Sequence, residues 1–118
     1  MIDFSKYANV KYDDKDYNCL HFAVDIYKDL TGKDMGLFVD ELMTDKNHRT
    51  INPSKLKNFR QIATPCNACL AIMRGASVHA GIFYNNAIIH LTDNGVQSVP
   101  PHIAEIQHGT ITYYTISY

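Results

Sequence analysis

Val78-His79-Ala80-Gly81-Ile82-Phe83-Tyr84-Asn85-Asn86-Ala87-Ile88-Ile89-His90-Leu91 decides how this chain is read. Two runs rich in β-branched and aromatic residues flank Asn85-Asn86. Asparagine tolerates positive φ, so the pair suits a two-residue hairpin turn. That turn pairs Tyr84 with Ala87, sets Phe83 against Ile88 and sets Gly81 against His90. Period-two alternation then puts His79, Gly81 and Phe83 on one face with Ile88, His90 and Thr92. His79 and His90 become diagonal neighbours, about 7–8 Å apart at the backbone and within reach of two imidazoles. Gly81 leaves open space opposite His90. A one-residue slip of register would abolish the arrangement.

Outward from the hairpin, the second half of the chain continues as strands. Ala68 to Arg74 reads as a strand and Gly75-Ala76-Ser77 as a turn. Thr92 to Gly95 is a turn and Val96 to Val99 a short strand. Pro100-Pro101 breaks the sheet, and Thr110 to Ser117 forms the last strand. The first half reads as helices. Leu20, Ala23, Ile26, Tyr27 and Leu30 recur at three- and four-residue spacing, which predicts a helix over Cys19 to Leu30. Asn18 is its N-cap and Gly32 its stop. A second helix is expected over Phe38 to Asp45. A third opens at Asn52-Pro53 and carries Leu56, Phe59 and Ile62 inward. Pro65 closes the helical half. Helices over 1–62 followed by strands over 68–118 predict one α+β domain spanning residues 1–118, its N-terminal helices packed on a C-terminal antiparallel sheet.

Composition narrows the function classes. The chain has 118 residues, 46% hydrophobic and 19% charged, which is globular and neither disordered nor collagen-like. Eleven basic residues face twelve acidic ones, for a net charge of -1, which argues against a nucleic-acid-binding module. Apolar stretches fall far short of the roughly 20 residues of a bilayer span, so no membrane partner is expected. The N-terminus lacks an apolar signal core, so the protein is expected in the cytoplasm as synthesised, with reduced thiols.

Three side chains stand out for chemistry. Cys19 falls on the first turn of its helix, where unpaired amides carry roughly half a positive charge and favour a thiolate. A free cysteine is more commonly a small buried hydrophobe, so Cys19 alone is a weak signal. His79 and His90 strengthen it: one imidazole can exchange a proton with the sulfur and the other can fix its tautomer. His21 lies roughly 200° round the helix from Cys19 and points elsewhere. His48, His102 and His108 sit in expected loops and read as solvated. Cys66-Asn67-Ala68-Cys69 is a competing CxxC. It leads into a strand rather than a helix and lacks a second ligand pair, so it reads as a structural pair of small residues rather than zinc or redox chemistry.

Tyr17-Asn18-Cys19-Leu20-His21-Phe22-Ala23 at a helix start, then Val78-His79-Ala80-Gly81-Ile82-Phe83-Tyr84, then Ile88-Ile89-His90, resembles the NlpC-type family of papain-like cysteine peptidases. These are bacterial and phage cell-wall endopeptidases. The likeness spans about residues 7–118, is strongest in those short motifs, and looks closest to members found with phage tail assembly genes. It implies a papain-like α+β core with Cys19 as nucleophile, His79 as general base and acid, and His90 orienting His79. It implies a peptidoglycan stem peptide as substrate, cut after D-glutamate, with no metal and no cofactor. A tyrosine upstream of the nucleophile supports the oxyanion in many members; Tyr12 is the candidate here and Tyr7 the reserve, with Asn18 beside the nucleophile.

Several positions differ from the family pattern. Asn18 stands for the family's Asp, Leu20-His21 for Ser-Gly, Asp13-Asp14 for Gly-Gly, and Asn67-Ala68 for the usual Gly-Asp. These fall at the substrate subsites and leave open a different amide or a target other than the cell wall. The alternatives are a phage tail or other assembly protein that kept the fold with little activity, an amidase or toxin on the same fold, and, last, a zinc-bound small domain. Lysis, a virion or a secretion machine would be needed to reach a cell wall, and phage tail proteins are the expected protein partners.

Overall fold

The computed structural model describes residues 4–13, 17–36, 58–76 and 78–116. A short 3-10 helix, Phe4–Tyr7, precedes α1, Cys19–Thr31. The strands are β1 Phe59–Ile62, β2 Cys69–Arg74, β3 Val78–Tyr84, β4 Ala87–Thr92, β5 Gly95–Val99 and β6 Thr110–Ile116. Helix α2, Pro101–His108, lies between β5 and β6. The strands form one antiparallel sheet in the order β1-β6-β2-β3-β4-β5. The architecture is therefore α+β.

Helix α1 forms where the apolar spacing predicts it. The side-chain oxygen of Asn18 accepts from the amides of Leu20 and His21, and the His21 ring accepts from the Asn18 amide. This reciprocal cap satisfies amides that a helix start leaves unpaired. Gly32 ends the helix, donating its amide to the Lys28 carbonyl. The inward stripe is Leu20, Phe22, Ala23, Ile26 and Tyr27, all buried.

The hairpin turns as expected. Asn85 and Asn86 have φ of 49° and 63°, and Ile82, Phe83 and Tyr84 pair with Ile89, Ile88 and Ala87. Alternation along the strands divides the core into two clusters, one on each face of the sheet. Leu70, Ile72, Ala80, Ile82, Ile89, Leu91 and Tyr114 pack under α1. Cys69, Ala71, Met73, Phe83 and Ile88 pack against Ala104 of α2.

Two expectations from the sequence are corrected. The third helix was to carry Phe59 and Ile62 inward together; residues 59–62 are instead an edge strand paired with β6. A three-residue spacing puts two side chains on one helix face but on opposite strand faces. Phe59 accordingly joins the α1-side cluster and Ile62 the α2-side cluster. Residues 101–108, read as a break and a loop, are helix α2, so a helix sits inside the strand half and a strand precedes it. Proline at the first helical position costs no hydrogen bond, so Pro101 starts this helix rather than preventing one. The second helix, expected over residues 38–45, and the start of the third, at residues 52–57, lie outside the described residues.

Candidate active site

The hairpin register brings His79 and His90 together. His79 Nε2 and His90 Nδ1 lie 2.8 Å apart in a hydrogen bond, with the rings edge to face at 81°. Gly81 makes the approach possible. A Cβ there would meet Ile88 Cγ2 at 2.8 Å, the Ile89 carbonyl oxygen at 2.9 Å and His90 Cβ at 3.1 Å. The space opposite His90 is therefore filled by the neighbouring strand, drawn in closely, rather than left open.

A third histidine completes the cluster. His108, at the last position of α2, stacks on His79 with centroids 4.4 Å apart and planes 22° apart. Its ring also stands edge to face with His90 at 5.0 Å. The expectation that His108 is a solvated loop residue is thus corrected: α2 delivers it onto the sheet. Gly109 is what allows this. Its φ is 103°, and a Cβ there would lie 2.1 Å from the Arg74 carbonyl oxygen, so only glycine lets the exit of α2 sit on the end of β2. The signals in the sequence were Pro101 at one end of an eight-residue run and Gly109 just past the other. Of the remaining loop candidates, His102 is exposed on α2, and His48 lies outside the described residues.

Electrostatics follow from burial. His90 is 0% exposed and His79 9%. Burial, followed by the neighbouring His90 and His108, pushes His79 down to about 3. Burial, followed by His108, pushes His90 down to about 4. Burial also lowers His108. All three rings are neutral at physiological pH. His90 Nε2 is buried with no hydrogen-bond partner among the described residues.

Cys19 is buried at 7% exposure and belongs to the cluster under α1 with Ala80 and Ile82. His79 and His90 alternate with those residues and face α2. The structure therefore does not bring the sulfur and the imidazole to one face of the sheet. They do share one end of it. The C-terminal turn of α1, through Tyr27 and Thr31, lines a cavity of about 160 Å3 with Ala68, Cys69, Thr115 and Ile116, where β2 begins and β6 ends. The N-terminal turn of α1, with Cys19, thus points toward the end where β3 begins and His79 lies.

The proposed oxyanion groups are placed as follows. Tyr7 stacks edge-on against Phe22, and its hydroxyl donates to Asp29 far down α1, so that hydroxyl is engaged away from the start of the helix. Tyr12 is half-buried against the α1-side cluster. Asn18 is buried and spends its side-chain oxygen on the helix cap. The CxxC forms a tight turn in which Ala68 has φ 68° and the Cys69 amide donates to the Cys66 carbonyl. Burial pushes the Cys69 thiol up to about 12, while Cys66 is exposed. No helix among the described residues is long and apolar enough to cross a membrane. No known family matches the chain, and no match is found among curated proteins or solved structures.

Proposed function

We propose that this chain is a papain-like cysteine hydrolase of the NlpC type, acting on an amide of a peptidoglycan stem peptide. The observation that supports it best is the buried His79–His90 hydrogen bond. His90 engages Nε2 of His79, which leaves Nδ1 as the nitrogen for proton exchange. Burial keeps His79 neutral but holds it at about 3, and a base for the sulfur's proton needs a value nearer the working pH, so the reading requires substrate binding to raise the proton affinity of this ring. It also requires Cys19 to leave its buried place in the α1-side cluster and reach His79 round the start of β3 when substrate is bound.

In this scheme the Cys19 sulfur attacks the scissile carbonyl carbon as its proton passes to His79. The backbone amide of Cys19 itself takes the developing negative charge. His79 then protonates the leaving amine as the carbon–nitrogen bond breaks. Water, deprotonated by His79, cleaves the thioester and releases Cys19. His90 acts through His79 as a positioning residue.

Digestion of purified peptidoglycan, with mass analysis of the fragments, tests the reading. New amino termini following D-glutamate are expected, lost by at least about a thousandfold in Cys19→Ala. A Cys19→Ala protein that still releases the same fragments would overturn it. The placement of Cys19 and the histidines on opposite faces favours a second reading, an assembly protein of phage-tail type that kept the fold without the chemistry. That reading predicts no digestion by the unaltered chain.

A further inference from the structure

We propose that His79, His90 and His108 form a binding site for a divalent transition metal ion of the zinc class. The proposal does not depend on the hydrolase reading. One nitrogen from each ring lies within 4.8 Å of the others, and the three rings come from β3, β4 and the end of α2. Such convergence on one point needs three separate elements to agree.

A second, independent observation points to a ligand. His90 is fully buried, yet its Nε2 has no hydrogen-bond partner among the described residues. A buried polar nitrogen left unpaired is costly, by about 1–3 kcal/mol. Rearrangement of the rings around an ion would change the partners of all three. The His79–His90 hydrogen bond joins Nε2 of His79 to Nδ1 of His90, so it occupies one nitrogen of each ring and leaves Nε2 as the nitrogen of His90 for an ion.

The chemistry of the donor set selects the class of ion. Imidazole suits zinc, copper, nickel and cobalt, whereas calcium and magnesium take oxygen ligands. Metal ligation needs neutral rings, and the buried setting keeps these neutral. Three histidines leave a fourth tetrahedral position open, for water or another small ligand. The site lies on the α2 face, away from the cluster that holds Cys19; Cys69 shares that face but pairs with Phe83, four residues along β3 from His79, so thiols are not part of the site. Occupancy would hold His79 and close it to proton transfer.

Titration of the chelator-stripped full chain with Zn(II), followed by competition with a chromophoric indicator, tests the proposal. Co(II) absorption reports the ligands. Expected are one ion per chain, tetrahedral d–d bands without sulfur charge-transfer absorption, and at least about tenfold weaker binding in His108→Gln. His108 lies at a helix end and is only partly buried, so its replacement leaves the core intact; near-UV circular dichroism checks this. A second measurement needs no variant: zinc is expected to protect His108, the partly buried ring of the three, from diethylpyrocarbonate. Absence of binding, sulfur-to-cobalt bands, binding that follows Cys66→Ser, or unchanged affinity in His108→Gln would each overturn the proposal.

Discussion

The three histidine rings show how burial alone sets the state of an ionisable group. In the unfolded chain His79 and His90 titrate near 6.5; in the folded protein they are held down to about 3 and about 4. Below pH 6.5 the unfolded chain takes up protons that the folded chain refuses. The stability these groups contribute is therefore fully present above pH 6.5 and is lost as the pH falls toward 4. Denaturant unfolding of chelator-treated protein is expected to show a falling midpoint from about pH 7 to about pH 5. A midpoint that holds steady across that range would mean the rings are not buried as neutral groups. The three thiols give a second test at this scale. Iodoacetamide at about pH 8 is expected to label Cys66 readily and to leave Cys69 unreacted, because exposure and thiolate fraction both govern the rate. Mass mapping of the labelled peptides reads the order, and fast reaction at Cys69 would contradict its burial.

At the scale of the elements, caps and close approaches decide where helices sit. Asn18 closes the start of α1, so Asn18→Ala is expected to cost about 1 kcal/mol, measured by denaturant unfolding. An unchanged stability would show that the cap is redundant. Gly81→Ala is expected to cost about 1–3 kcal/mol, because one of the atoms in its way is the Ile89 carbonyl oxygen, which cannot swing aside. The same substitution should disturb the His79–His90 contact, visible as shifted imidazole proton resonances. The elements also mark where a sequence can be read and where it cannot. The α1 stripe and the Asn85-Asn86 turn are local signals, and both elements form as read. The segments 59–62 and 101–108 are short, and local pattern does not separate strand from helix over four residues. Pairing with β6 makes the first a strand, and packing of Ala104 on β2 makes the second a stable helix.

Across the whole molecule the sheet is a partition between two cores. Phe22 belongs to one and Phe83 to the other. Each truncation to alanine is expected to cost about 3–5 kcal/mol. Because the two side chains share no packing partners, their effects are expected to add to within about 0.5 kcal/mol in the double variant. A larger coupling, measured by a double-mutant cycle, would show that the two faces are not independent. The same partition governs the candidate chemistry. It gathers His79, His90 and His108 on the α2 face and leaves Cys19 under α1.

Local sequence suffices for the hairpin, its register, the meeting of His79 with His90, and the capped start of α1 at Cys19. Each of these follows from contacts between residues close in the chain: a two-residue turn, strand alternation and the reach of one side chain to the next turn. Which helix covers which face is set by long-range packing. That choice rests on packing between segments tens of residues apart, such as Gly109 against Arg74 and Ile116 against Phe59. Pro101 and Gly109 mark the bounds of α2, but no local pattern encodes the contacts that set His108 beside the other histidines and Cys19 on the other side of the sheet.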